Sequence, residues 1–267
     1  MSNPADITGG LVSVTFRQLS TREIVSLVRK SGLECIEWGG DIHVPHGDTK
    51  AAYETGRMTR DAGIETVSYG SYYRAFESEN DSLPFSKVLD TAIALGSPMI
   101  RIWAGARSPD KADEDYRELV IEDTLRVAEL AAAENIGIVF EYHSGTLTET
   151  PASTIDLLEK IDHPNVRTCW QTCKQADPDA RLHSLKTVLP HLANVHVFNW
   201  KVEDGKTLRL PLAEGKDEWK RYIEIMSGSS GRRYALLEFV RDDDPEVFLE
   251  DSRTLSRIIE ETTGRRI

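Results

Sequence analysis

GIVFEYH (137–143), VRTCWQ (166–171), NVHVFNW (194–200) and YALLEF (234–239) are four short apolar runs, each carrying a polar side chain able to bind a metal. The candidate ligands are Glu141, Gln171, His196 and Glu238, separated by 30, 25 and 42 residues, about one strand-plus-helix unit each. If successive units close into a barrel, the strand ends meet at one rim and the four side chains converge there.

The same alternation extends over the rest of the chain. Further strand candidates begin near Leu11 (LVSVTF), Glu34 (ECIEW), Glu65 (ETVSY) and Pro98 (PMIRIW), making eight in all. Helical patterns are expected between them over 21–30, 49–62, 84–95, 113–135, 153–161, 179–189, 217–226 and 245–261. Polar caps precede these stretches and Gly or Pro follows many of them, as helix ends require. Strands that are continuous apolar runs, not alternating ones, suit a parallel sheet covered by helices. Eight strand–helix units without a G-x-G-x-x-G turn after the first strand favour an α/β fold of one class, a single (β/α)8 TIM barrel, over a doubly wound sheet. No linker divides the chain, so residues 1–267 are expected to form one barrel domain. The longest irregular stretches, 70–83 and 201–215, are expected to follow strands at the catalytic end.

Composition narrows the partners. The chain has 44 Asp and Glu against 32 Lys and Arg, a formal net charge of −12, which suits a small-molecule substrate better than a nucleic-acid backbone. Three cysteines, Cys35, Cys169 and Cys173, neither pair up nor form a zinc cluster, so reduced core thiols are expected. The start MSNPADITGG lacks the pattern of a secretion signal and no run reaches the ~18 apolar residues of a membrane span. A cytoplasmic protein without membrane partners is the expectation; a homo-oligomer is left open.

A carboxylate at the end of an apolar strand is costly unless compensated. A divalent metal would compensate Glu141 and Glu238; a buried salt bridge with Arg or Lys would do so equally well for either one alone. His196 shares a strand face with Phe198 and is either a ligand or a hydrogen-bonded core histidine. Gln171 offers an amide oxygen without charge, as a ligand to a hard cation or as a hydrogen-bond partner. This oxygen-rich set favours Mn²⁺ or Mg²⁺, with Co²⁺ able to substitute. His143, two residues after Glu141, points the same way, to hold substrate or move a proton. Trp38, His43, His46 and Trp103 are placed near the mouth, where aromatic walls and imidazoles suit a sugar, although core or rim packing explains them as well. Glu37 ends its strand and can form a salt bridge. Arg241 is either an anion contact or a solvated loop charge.

The pieces IEWGGDIHVPHGD (36–48), FEYH (140–143), NVHVFNW (194–200), LPLAEG (210–215) and LEFVRDDD (237–244) make nearly the whole chain resemble the xylose isomerase-like TIM-barrel superfamily, which includes sugar and sugar-phosphate isomerases and epimerases, inosose dehydratase and endonuclease IV. The resemblance to its ketose 3-epimerases implies a metal held by Glu, Asp, His and Glu, with the two Glu exchanging protons with a substrate carbon. Those roles fall on Glu141, His196 and Glu238. The Asp position carries Gln171, and a nearby His position carries Lys174, a candidate substrate contact. The lost charge should weaken metal binding. The expected function is metal-dependent isomerisation or epimerisation of a keto-sugar or related polyol through an enediolate. The alternatives are a lyase or dehydratase using the same enediolate, with His143 or Lys174 as acid, and a non-catalytic sugar-binding barrel.

Overall fold

Two glycines decide how the chain begins. The first strand, β1 (Asp6–Val12), runs through Gly9 and Gly10, and a Cβ at Gly10 would lie 2.4 Å from Cys35 Sγ and 2.5 Å from the Cys35 carbonyl oxygen. Only glycine lets β1 lie this close to β2 (Cys35–Gly39). The strand thus starts earlier than LVSVTF suggests, and residues Ser13–Phe16 of that run form a 3₁₀ turn instead.

The computed structural model describes residues 6–172 and 177–264. β1 and β2 are followed around the barrel by β3 (Glu65–Arg74), β4 (Met99–Trp103), β5 (Gly137–Glu141), β6 (Val166–Gln171), β7 (Leu192–Val197) and β10 (Arg232–Leu237), which closes on β1. Every pairing is parallel. Eight helices, α1 (Thr21–Ser31), α2 (Thr49–Asp61), α3 (Phe85–Leu95), α4 (Glu114–Ala133), α5 (Pro151–Ile161), α6 (Pro178–Val188), α7 (Lys216–Ser227) and α8 (Pro245–Thr263), link or follow the strands. The fold is the expected single (β/α)8 barrel. Helix α1 starts at a capping box: Glu23 accepts from the Ser20 backbone N–H at 2.7 Å. Helix α5 starts two residues before its expected position, because Thr150 caps it and Pro151 opens its first turn.

The stretch 201–215 is not irregular. It contains most of an antiparallel hairpin, β8 (Asn199–Glu203) and β9 (Lys206–Leu210), turned at Asp204-Gly205 with both residues at positive φ (50° and 73°). Asp-Gly between short strand-like runs is the usual signature of such a turn. β3 likewise extends into the stretch starting at Gly70, with a register shift between Gly70 and Tyr73.

Strand alternation divides the core into two layers. Ile36 and Trp38, Ile100 and Ile102, Ile138 and Phe140, Val195 and Val197, and Ala235 and Leu237 pack in the layer shared with the helices. The residues between them face the barrel interior, where Cys35, Val67, Tyr234 and Leu236 form one cluster and Val139, Cys169 and Ala193 another. Cys35 and Cys169 are free and buried, as expected; Cys173 lies outside the described residues. Among the described residues no helix is long and apolar enough to cross a membrane.

Helix α8 supports the hairpin return through Asp251, whose buried carboxylate accepts from the Leu212 N–H at 2.8 Å. Burial pushes its pKa up to about 6. A carboxyl raised in the folded state favours folding at low pH, and that contribution is lost as pH rises through about 6. Asp251→Asn, which keeps an acceptor without the charge, is expected to gain about 1–3 kcal/mol relative to wild type at pH 8 and little at about pH 4, checked by urea unfolding at both.

Candidate active site

Alternation fixes which side chains meet inside the rim. Glu37 on β2, Arg101 and Trp103 on β4, Glu141 on β5, Gln171 on β6, His196 on β7 and Glu238 just beyond β10 all have interior parity. Of these, Arg101 was not foreseen: PMIRIW read as a strand with Trp103 at its end, and the same period places Arg101 one step deeper.

Arg101 organises the carboxylates. It is buried, its Nε donates to Glu37 Oε1 at 2.7 Å, and its Nη1 donates to Glu141 Oε2. Trp103 Nε1 donates to the same Glu141 oxygen at 2.6 Å. Burial alone would raise the Glu37 carboxyl, but Arg101 and His196 outweigh it and hold it at about 2. Burial likewise opposes the Arg101 charge, and Glu37, Tyr72 and Glu238 together more than restore it. The salt bridge expected of Glu37 is therefore present, and Glu141 is compensated by a guanidinium and an indole. Tyr72, at φ 55° in the β3 irregularity, lays its ring over the guanidinium with the Arg101 Cζ 5.1 Å from its centroid.

Gly70 provides the room for this pair. A Cβ there would lie 2.6 Å from Arg101 Nη2 and 3.1 Å from Glu37 Oε1. Gly70→Ala is expected to cost about 1–3 kcal/mol by forcing the buried pair apart, measured as a lowered urea midpoint.

His196 is fully buried between two carboxylates, Nε2 at 3.6 Å from Glu37 Oε1 and Nδ1 at 3.4 Å from Glu238 Oε2. Neither ring nitrogen has a hydrogen bond, and Glu37 Oε2 also lacks a partner. Burial disfavours the imidazolium, but Cys169, Glu238 and Glu37 raise its pKa well above the usual histidine value. Gln171 Nε2 donates to the Tyr142 carbonyl at 2.8 Å and lies 3.4 Å from Glu141 Oε1. That orientation leaves the amide oxygen as the group's acceptor.

A cavity of about 390 Å³ opens over this cluster. Glu141, Gln171 and Glu238 form part of its polar wall with His143 and Glu149; Phe198, Trp200 and Phe239 form an aromatic one. Phe198 and Trp200 stack at 4.0 Å between centroids, and Trp103 stacks on His143 at 4.5 Å. Pairing a few polar groups with apolar faces suits a small polyhydroxylated ligand. A cleft of about 450 Å³ also lies by α1 and α2, where Arg22, Arg57, Glu54 and Asp61 offer mixed charges away from the rim.

Other expected contacts lie elsewhere. Trp38 follows Glu37, so it faces the helices and is fully buried, its ring 6.0 Å from that of His43. His43 is held by Ser13 Oγ at 3.0 Å and the carbonyls of Phe16 and Leu19, both at 3.2 Å, and burial lowers its pKa. Neither borders the rim cavity: Trp38 packs against the helices, and His43 anchors its loop and lines the cleft by α1 and α2. His46 is bound to the Tyr69 hydroxyl at 2.7 Å. Arg241 is exposed beside Asp242 at 3.7 Å and does not border the cavity. Lys174 lies outside the described residues.

Two carboxylates, an imidazole with two unpartnered nitrogens and an amide oxygen have the donor chemistry for one hard divalent ion. Three carboxylates against one guanidinium leave a formal charge of −2 once His196 gives up its proton, as coordination requires, and such an ion would cancel that charge. Among the described residues, however, no three His, Cys, Asp or Glu side chains are gathered into a metal-holding group. Glu141 is instead engaged with Arg101 and Trp103.

A 3-dehydroshikimate dehydratase of Bacillus anthracis is 24% identical over 274 residues, covering 92% of this chain and 95% of that protein. The crystal structure of a probable 3-DHS dehydratase involved in petrobactin synthesis, from the same organism, superposes with a TM-score of 0.74 at 19% identity, covering 94% of this chain and 98% of the other. A xylose isomerase-like TIM barrel protein from Mycobacterium smegmatis in complex with magnesium superposes with a TM-score of 0.70 at 16% identity, covering 97% of both chains. At these identities the superpositions carry the fold, and a divalent ion is a property of the Mycobacterium structure. The sequence profile of the xylose isomerase-like TIM barrel family matches residues 25–258, and the chain belongs to that family.

Proposed function

We propose that the protein is a lyase that removes water from a small polyhydroxylated carbonyl compound through an enolate, with isomerisation of a keto-sugar at the same site as the second reading. The observation that carries this is the inequality of the two carboxylates. Both oxygens of Glu141 face donors, one of them two strong ones, whereas Glu238 borders the cavity with His196 as its nearby polar neighbour. Epimerisation by two bases calls for two carboxylates of similar freedom; elimination calls for one base and one acid.

Glu238 takes the proton from the carbon beside the carbonyl. The C–H electron pair forms the enolate C=C bond and the carbonyl π pair moves to oxygen; as the carbonyl re-forms, that C=C pair shifts to join the α- and β-carbons and the bond to the β-hydroxyl breaks. His143 donates a proton to the departing oxygen, which leaves as water. Its Nδ1 is set against the Ser144 carbonyl at 2.7 Å and its ring against Trp103, which fixes the imidazole at the cavity wall. Glu141, His196, Glu238 and the Gln171 amide oxygen would hold a divalent ion, Mn²⁺ or Mg²⁺ by donor type, and Co²⁺ would fit the same set. Such an ion would supply positive charge at the carbonyl end of the substrate. Phe198 and Trp200 cover the apolar face and exclude water.

The second reading is favoured by Glu141 and Glu238 bordering one cavity. Product mass separates the two. The protein is incubated with Mn²⁺ and either 3-dehydroshikimate, the substrate named for the Bacillus relative, or a panel of ketohexoses. Loss of one water from any of them supports the lyase. An unchanged mass with altered stereochemistry would transfer the site to isomerisation, and no conversion of any substrate would count against both.

A further inference from the structure

The Arg101 guanidinium sits on the carboxylate that the ion would need. Glu141 Oε2 accepts from both Arg101 Nη1 and Trp103 Nε1. Both Arg101 and Glu141 are at most 5% exposed, so water does little to screen a second cation brought to the same group. We infer that Arg101 is an internal competitor for the divalent ion, holding Glu141 when no metal is bound and shifting towards Glu37 when the ion binds. This rests on the metal-holding role proposed above.

The structure provides a place for the displaced charge. Arg101 is already anchored to Glu37 Oε1 at 2.7 Å, and Glu37 Oε2 is a buried acceptor without a partner. A guanidinium that leaves Glu141 can engage both Glu37 oxygens, a geometry that the planar fork favours. Gly70 leaves the space beside Arg101 Nη2 free of a Cβ. The nitrogens of His196, without hydrogen bonds, lie 3.6 Å from Glu37 Oε1 and 3.4 Å from Glu238 Oε2. With Gln171 supplying no charge, Arg101 keeps the ion weakly held, so metal occupancy responds to the ion supply.

The opposite arrangement is that Arg101 serves the ion, pinning Oε2 so that Oε1 faces it. The two differ in sign. Mn²⁺ is titrated calorimetrically into metal-free wild type, Arg101→Met, and the double variant Arg101→Met/Glu37→Gln. The double variant removes one charge of each sign, so the local formal charge stays at −2 and a change in affinity does not reflect net charge. At least tenfold tighter Mn²⁺ binding in the double variant is expected, with a larger rise in melting temperature on adding Mn²⁺. Binding by wild type with equal or weaker binding by the double variant overturns the inference and leaves the metal reading intact. Failure of all three proteins to bind Mn²⁺ defeats the metal reading and the inference together, whereas binding by the variant alone supports it. Should the variants not fold, wild type still decides: Mg²⁺ is expected to shift the Arg101 side-chain NMR resonances, and resonances unmoved at saturating Mg²⁺ would refute the competition.

Discussion

Glu238→Gln is expected to lower turnover by about 10²–10⁴-fold, the usual range for losing a general base, while leaving the melting temperature close to that of wild type. Glu238 borders the cavity, takes no part in the Arg101 pairs, and stands 3.4 Å from His196. An amide of the same shape fills the same space but cannot take a proton from carbon. Solvent-deuterium exchange into unreacted substrate should vanish along with product formation. The companion change, Glu141→Gln, should also abolish activity, but with a loss of stability, because Arg101 and Trp103 then lose their acceptor charge. Full deuterium exchange in Glu238→Gln would remove Glu238 from the chemistry and leave the lyase without its base.

Arg101→Met should destabilise the protein by about 3–5 kcal/mol at pH 8, the cost of leaving buried carboxylates without their cation. The sign of the pH dependence follows from Glu37. In wild type its pKa is held at about 2, below the ordinary carboxyl value, so its stabilising contribution is complete above about pH 5 and is lost as pH falls through about 2. Without Arg101, burial raises the Glu37 pKa, and the folded protein then binds the proton more readily than the unfolded chain. The deficit of the variant should therefore shrink on going from pH 8 to pH 5. Urea unfolding at the two pH values measures it; a deficit independent of pH would mean that Glu37 is not paired with Arg101 in solution.

Much of this was readable along the chain because the signals are local. The capping box at Ser20 and Glu23, the glycines that end helices and the continuous apolar strands each report on their immediate neighbours. The hairpin over 199–210 was also readable, since Asp204-Gly205 carries a specific turn preference, but its position between a predicted strand and a helix made it look like loop. β1 was harder. Its two glycines carry no local strand signal, and only the neighbours that fold beside them, Leu33 at Gly9 and Cys35 and Leu236 at Gly10, explain why a side chain is excluded.

The amino-acid order by itself determined the barrel and the rim positions of Glu141, Gln171, His196 and Glu238, because strand period and unit length are properties of the chain. It did not determine what those groups face. That Glu141 meets Arg101 from β4, that Glu37 from β2 shares the same guanidinium, and that Trp38 and His43 turn away from the cavity depend on which strands become neighbours and how deep each side chain lies. Electrostatic pairing acts over a few ångströms between residues 40 and 64 positions apart. Tertiary structure alone sets those distances, and with them whether a buried carboxylate is neutralised by a guanidinium or left for an ion.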